Sequence, residues 1–497
     1  MIFLRRRLPI FYNALLLTMV NLLLRLVGTS FQVFLSGRIG AAGIGLLQLV
    51  MSVGSLAIVA GIAGIRTATM YLTAEELGKK RPQNVTWVLS GCMLYSIFCS
   101  GAIAVLMYLL APQIAENWIG DIRTLYALRL FAAFLPVICL CNVMVGYFTA
   151  SNRIGTLAAV EVAEQLISMA VTISALSIWA GNDPARACLC VILGSSTAAV
   201  MTLLCLVILR LREKPPTGIR IPVRHRLGDT AAPLALADVL KSGINTIENL
   251  MVPKRLAQNL TIQNPLASFG LISGMVFPVL MFPACILFGL TELLIPELAR
   301  CAAAGSRNRI SYLVRQSLRV AMLYGLLFGG LEYLLADWLC IRLYQNVEAG
   351  RFLKLYALLI PMLYCDILTD AMTKGLGQQK ICVRYNILTS AMDVVLLYLL
   401  LPNCGMMGYY VSFVVTHVLN FYLSLRRLLR ITGESIPFYV PALGISATIA
   451  AVLGAGTFSS PWLQSFGFLG LLWSLLFLFG VTGKEDLRWI WGLVRKK

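Results

Sequence analysis

Histidine is almost absent from this chain, two in 497 residues, and acidic residues are few, 22 Asp and Glu against 41 Lys and Arg. Charged residues of both signs make up only 13% of the composition, where an ordinary soluble domain carries about a quarter. His225 lies in a basic loop and His417 in an apolar run, too few and too far apart for a metal centre. The thirteen cysteines are scattered. Cys139/Cys141 and Cys188/Cys190 form C-x-C pairs inside apolar runs, with no C-x-x-C or Cys/His ligand set, so they read as packing. No metal and no cofactor are expected. No loop is long or acidic enough to build a nucleotide or metal site, so an enzyme is not expected either.

What the chain has in excess is apolar surface: 59% hydrophobic residues and a mean hydropathy of +0.82. Such a chain has no aqueous fold in which to bury itself, and it reads as an all-α polytopic membrane protein. A helical span takes about 20 apolar residues, and the apolar runs give about fourteen, beginning with span one at 10–36, span two at 43–70 and span three at 86–111. Further along come span five at 154–180, span seven at 230–251, span eight at 266–296, span nine at 311–336 and span ten at 352–373. Arg5, Arg6 and Arg7 resemble the start of a signal peptide, but the run that follows is too long, contains Arg25 and ends in no A-x-A site. It is expected to be a retained first span.

The net charge of +19 is mostly a signal of orientation. Of the 41 basic residues, 28 fall on one alternating set of loops and ends, including Lys79, Lys80, Arg81, Arg426, Arg427, Arg430, Lys496 and Lys497. Positive charge marks the cytoplasmic side, so both termini are expected inside. The basic side attracts anionic membrane lipids rather than nucleic acid.

The longest hydrophilic stretch between spans, Arg210 to Asp229, divides the chain. Residues 1–228 are expected to form an N-terminal lobe of six spans and its basic linker. Residues 229–431 form a C-terminal lobe of six, and 432–497 an extra helix pair with a basic tail. A weak repeat supports the division: Gly45-Leu46-Leu47 and Gly270-Leu271-Ile272 open spans two and eight, 225 positions apart. Six spans per lobe make the repeats parallel, related by an axis along the membrane normal with a cleft between lobes. The glycines and prolines of span eight, among them Gly270, Gly274, Pro278 and Pro283, predict a bent helix.

Polar side chains inside a membrane avoid lipid, so their helical phase marks an interior face. In span one, Asn21, Arg25, Thr29, Gln32 and Ser36 fall within about 80° of one another. In span seven, Asp238, Lys241, Asn245, Glu248 and Asn249 fall within about 100°. Arg66 adds a cation in span two, Glu161 and Glu164 add carboxylates in span five, and Asp366 and Asp370 add carboxylates in span ten. Arg25, Arg66, Lys241, Asn21, Gln32, Asn245, Glu248 and Asn249 are the substrate-cleft candidates. Glu161, Glu164, Asp238, Asp366 and Asp370 are candidates for coupling an ion. Each stripe would serve equally as polar glue between helices.

Asp370-Ala-Met-Thr-Lys-Gly-Leu-Gly-Gln-Gln-Lys380, followed by Val383-Arg-Tyr-Asn-Ile387, resembles a signature of the stage V sporulation protein B family. So do Ser36-Gly-Arg-Ile-Gly40, Gly43-Ile-Gly-Leu-Leu-Gln48, Leu250-Met-Val-Pro-Lys-Arg-Leu256, Phe269-Gly-Leu-Ile-Ser-Gly-Met275 and Leu294-Ile-Pro-Glu-Leu298. That family belongs to the multidrug/oligosaccharidyl-lipid/polysaccharide exporter superfamily, with MurJ-type lipid II flippases and MATE drug exporters as relatives. The resemblance implies alternating access between two lobes, a lipid-linked diphosphate oligosaccharide as substrate, and a bacterial plasma membrane. It also implies a monomeric transporter working beside the cell-wall synthesis machinery. Arg25 matches the first-span arginine of MurJ-type cavities. Arg66 stands in span two as a second cavity arginine does, although the surrounding Gly64-Ile-Arg-Thr-Ala68 differs from that family. A MATE-like exporter of organic cations, using the cleft carboxylates, is the alternative.

Overall fold

The computed structural model describes residues 2–62, 64–78, 81–151, 153–181, 183–212, 224–434 and 439–480, and these are helical with no strand among them. Hydrocarbon offers the backbone no hydrogen-bond partners, and a helix satisfies its own. The helices are α1 (Ile2–Ile62), α2 (Ile65–Gly78), α3 (Val85–Gln113), α4 (Leu125–Ala150), α5 (Ile154–Ala175), α6 (Pro184–Leu211), α7 (Arg224–Leu256) and α8 (Pro265–Leu271). They continue as α9 (Phe277–Leu280), α10 (Cys285–Ala303), α11 (Arg307–Tyr344), α12 (Val347–Ala357), α13 (Ile360–Gly375), α14 (Gln379–Thr432), α15 (Tyr439–Ala455) and α16 (Pro461–Leu478).

Among the described residues eight helices are long and apolar enough to cross a membrane, and up to ten if each of two bent pairs is one span. One bent pair is the expected bend of span eight, where the path from Pro265 to Ala303 turns by 65° between Leu280 and Cys285. The other, 58° between α12 and α13, falls in span ten just before Pro361. Two helices are far longer than a bilayer, and each contains one glycine in a non-helical conformation: Gly40 in α1 (φ 67°) and Gly405 in α14 (φ 56°). Both sit at left-handed φ, which glycine adopts without steric cost.

The chain divides into two compact units. The first comprises residues 1–274 with 390–409, and the second 275–389 with 410–497. In the first, α2, α3 and α4 bury Ile65, Leu72, Val88, Cys92, Met144 and Phe148, joined by Leu206 of α6. In the second, Ala447, Ala451, Phe468 and Leu472 of α15 and α16 pack on Leu327, Leu331 and Leu334 of α11. All thirteen cysteines are free thiols.

The repeat glycines meet. A Cβ built on Gly45 would lie 2.3 Å from the Leu266 carbonyl oxygen, and one built on Gly270 would lie 2.0 Å from that of Ala41. Leu266 precedes Gly270 by four residues, as Ala41 precedes Gly45, so the two contacts are the same contact read from either side. Reciprocity of this kind is the mark of a two-fold relation, met here between the two glycines that the 225-residue offset pairs.

At one end of the first unit, Asp121 accepts from the backbone N–H of Arg123 at 3.0 Å, and Asp183 accepts from that of Ala185 at 3.1 Å. The Arg123 guanidinium spans both carboxylates, at 2.8 Å from Asp121 and 3.3 Å from Asp183, tying the α3–α4 turn to the start of α6.

Two outcomes follow from this packing. Gly270→Leu forces a side chain into a backbone and is expected to cost about 1–3 kcal/mol or more, seen as a lower unfolding midpoint in detergent. Hydrogen bonds from Arg123 hold Asp121 below the usual carboxylate pKa. Its contribution is therefore present above about pH 4 and lost as pH falls further. After correction for intrinsic amide rates, protection at residues 121–125 should fall in acid for the wild type, and should be equally low on both sides of that pH in Asp121→Asn.

Candidate functional site

The first unit gathers most of the candidate residues. Gln32 donates through Nε2 to the carbonyl of Gly274 at 3.4 Å. That carbonyl lies in the π-turn Ile272–Val276, where widened geometry leaves backbone oxygens outside the ordinary helical ladder. Ser52 of α1 joins α7 twice. Its hydroxyl accepts from Asn249 Nδ2 at 2.9 Å, and its carbonyl accepts from the Thr246 hydroxyl at 3.1 Å. Asn249 thus makes a contact between α1 and α7.

Glu248, one residue before Asn249, has a different partner. Its carboxyl is hydrogen-bonded to that of Asp393, a buried residue of α14. Two buried carboxylates in contact repel unless they share a proton or a bound cation. The pairing continues toward the ends of both helices. The Arg255 guanidinium stacks on the Tyr398 ring at 3.2 Å from its centroid, and Asn259 Nδ2 donates to the Pro402 carbonyl at 2.9 Å. Partner numbers rise together along both helices, so α7 and this part of α14 run parallel. Lys254 donates to the Asn117 carbonyl beyond α3.

The cations are placed otherwise. Arg25, Arg66 and Lys241 are exposed, as are Asp238 and Asn245. Arg66 lies at the start of α2, close enough to act electrostatically on the half-buried Glu161 of α5, beside which stands Glu164. Glu164 is hydrogen-bonded to Thr202 of α6. The side chain of Asn21 lies outside the described residues, as do Lys79, Lys80, most of the Arg210–Asp229 linker and the tail from 481 onward.

Asp366 and Asp370 belong to the second unit. Asp366 accepts from Asn420 Nδ2 at 3.3 Å and leaves Oδ1 buried without a hydrogen-bond partner among the described residues. Asp370 pairs with Lys374 one turn on, at 2.5 Å. No group of three or more His, Cys, Asp or Glu with metal-binding geometry occurs among the described residues. Asp393 was not marked by the sequence: a lone acid in the apolar run Met392–Leu401 belongs to no polar stripe, and its partner is 145 residues away. Its one available signal was its intramembrane charge.

Comparison with known proteins gives a consistent picture. A family model described as MatE matches residues 17–180. Stage V sporulation protein B of Bacillus subtilis (strain 168) is 23% identical over 420 residues, covering 82% of this chain and 81% of that protein. The solved structure of the lipid II flippase MurJ in an inward closed conformation superposes with a TM-score of 0.68 at 12% identity, over 94% of this chain and 98% of that one. An inward-facing multidrug resistance transporter of the MATE family superposes at 0.66 with 13% identity, over 84% and 100%. At these identities the two structures speak for the fold.

The Ser52 contacts predict a graded response. Ser52→Ala, which removes one acceptor, should cost about 1 kcal/mol; Ser52→Val, which also crowds the Asn249 amide without bonding it, should cost about 1–3 kcal/mol. Thermal unfolding in detergent ranks the two.

Proposed function

We propose that this chain belongs to the multidrug/oligosaccharidyl-lipid/polysaccharide exporter superfamily, as a multi-pass bacterial membrane transporter and not an enzyme, and that it is a flippase. It moves a lipid-linked oligosaccharide or peptidoglycan precursor from the cytoplasmic to the outer leaflet. The observation that carries the reading is the exposure of Arg25 and Arg66 on a stretch long and apolar enough to cross the membrane, and of Lys241 on the more polar α7. Guanidinium and ammonium groups facing lipid are costly, whereas in a watered cleft they offset the desolvation of a diphosphate. The resemblance to stage V sporulation protein B and to the lipid II flippase supports the same substrate class.

In this reading the chain has fourteen spans with both termini cytoplasmic. Dividing α1 at Gly40 and α14 at Gly405, joining α1 to α2 past residue 62, taking each bent pair as one span, and counting the more polar α7 and the short α15 gives that number. The lobes are 1–228 and 229–431, with 432–497 as an added pair. The protein works as a monomer beside the cell-wall synthesis machinery, its basic side against anionic lipids. With the cytoplasm negative, outward movement of about two negative charges gains roughly 4.6 kcal/mol at about 100 mV. The Glu248–Asp393 pair is where a coupling cation or proton enters.

A second reading, a MATE-like exporter of organic cations, is favoured by the carboxylates Glu161, Glu164, Glu248 and Asp393 in the first unit. Drug-resistance profiling separates the two readings: an exporter protects cells from cationic drugs and a flippase does not.

Arg25→Ala should abolish movement of a labelled polyprenyl-diphosphate sugar across proteoliposomes while the protein inserts and elutes as the wild type does. Unchanged movement would remove Arg25 from the mechanism. Glu248→Gln should leave movement driven by membrane potential and abolish its response to an imposed ion gradient.

A further inference from the structure

Glu332 lies in α11 within Gly329-Gly-Leu-Glu-Tyr-Leu-Leu335, a membrane-spanning run. It is 5% exposed, and its Oε2 is buried with no hydrogen-bond partner among the described residues. It takes no part in the site proposed above. One side of α11 at this level is closed by apolar packing: Leu331 and Leu334 meet α15 and α16, and a Cβ on Gly330 would lie 2.2 Å from the Phe468 ring.

Glu332 shares the opposite face with Gly325 and Gly329, within about 60° by helical phase. That face rests on the break between α12 and α13. A Cβ on Gly325 would meet the Pro361 backbone at 2.6 Å, and one on Gly329 would meet the Ala357 carbonyl oxygen at 3.1 Å. Pro361 has no N–H to return to that carbonyl, the one four residues before it. The buried carboxyl therefore lies beside the point where span ten turns by 58°.

Among the described residues no ion pair to Glu332 occurs. On α11, Asp337 five residues on is paired with Lys354 of α12. From α13 the groups that interact with Glu332 include the Tyr364 hydroxyl, and from α11 itself the Tyr324 hydroxyl and the Cys340 thiol. Tyr324 and Tyr364 direct their hydroxyls to the carbonyls of Pro283 and Leu280, at the break between α9 and α10, where Cys285 is the nearby titratable group. The sequences of α15 and α16 contain no charged residue. A carboxylate enclosed by such groups has nothing to offset its charge, while the acid form needs no counter-ion.

We propose that Glu332 is a proton-binding site of the second unit, holding one proton in this packed arrangement and exchanging it with water when the α12–α13 break loosens from α11. Ionised Glu332 opens the packing and protonated Glu332 closes it. Its use in driving transport rests on the flippase reading; its binding of a proton does not.

The test is hydrogen–deuterium exchange of the full chain in detergent micelles, following residues 347–375 against pH after correction for intrinsic amide rates. In the wild type, exchange at these residues should rise about tenfold or more as pH is raised through the ionisation of Glu332. Glu332→Gln, which mimics the acid form, should stay protected throughout. Wild-type protection that does not vary with pH, or a Glu332→Gln profile that follows the wild type, would overturn the proposal. Should that variant fail to fold, infrared spectra of the wild type decide. A buried carboxylic-acid band should disappear at the pH where exchange at 347–375 rises, and a band that persists through that rise overturns the proposal. Absence of lipid movement in vesicles alongside an intact exchange response would count against the flippase reading alone and support the proton site.

Discussion

A backbone that crosses hydrocarbon must find every hydrogen-bond partner within the protein, and this chain interrupts its helices repeatedly. Such interruptions strand carbonyl oxygens, and at several of them a side chain from elsewhere in the same unit comes to meet one. Gln32 serves the π-turn at Gly274, and Asn259 serves Pro402 near the Gly405 kink. At the break after α9, the Tyr364 and Tyr324 hydroxyls donate to Leu280 and Pro283, and near the end of α12 Tyr410 donates to Leu355. The polar side chains of the spans are therefore divided between two tasks. Those that answer a broken helix carry a structural contact that the others do not.

Contacts of this kind distinguish residues that helical phase alone leaves together. Gln32 and Asn249 share stripes with Arg25 and Glu248, yet the first is spent on Gly274 and the second on Ser52. Phase shows that a set of side chains faces one way, not what each one meets there. The charged members of the same stripes are arranged differently: Arg25 and Lys241 are exposed, and Glu248 is joined to Asp393. A stripe read as a single binding surface is thus several contacts, with different consequences for the same substitution to alanine.

Much of the fold was legible in the sequence because hydropathy and backbone chemistry are local. The helical class, the bend of span eight at its glycines and prolines, and the Gly45/Gly270 correspondence all rest on short stretches of chain. The break in span ten had a local signal as well, Pro361, but no cluster around it. The Glu248–Asp393 contact had none, since it joins residues from two spans that only the tertiary fold makes neighbours. Lone acids inside apolar runs, Glu332 and Asp393, are where a periodicity argument is weakest, because one residue has no phase.

The two units also differ in how they treat buried acid. In the first, Glu248 has Asp393, Glu161 has the field of Arg66, and Glu164 has Thr202. In the second, Asp370 is neutralised by Lys374, while Asp366 and Glu332 each keep a buried oxygen with no hydrogen-bond partner among the described residues. An unsatisfied carboxyl oxygen in low dielectric is costly to retain, and a packed helix interface would be more stable with leucine in its place. Retaining the acid is reasonable where a second arrangement of the same helices wets it. Glu332 lies against a span already broken at Pro361, so the backbone change such an arrangement needs is confined to a turn whose hydrogen bonds are open before any movement begins.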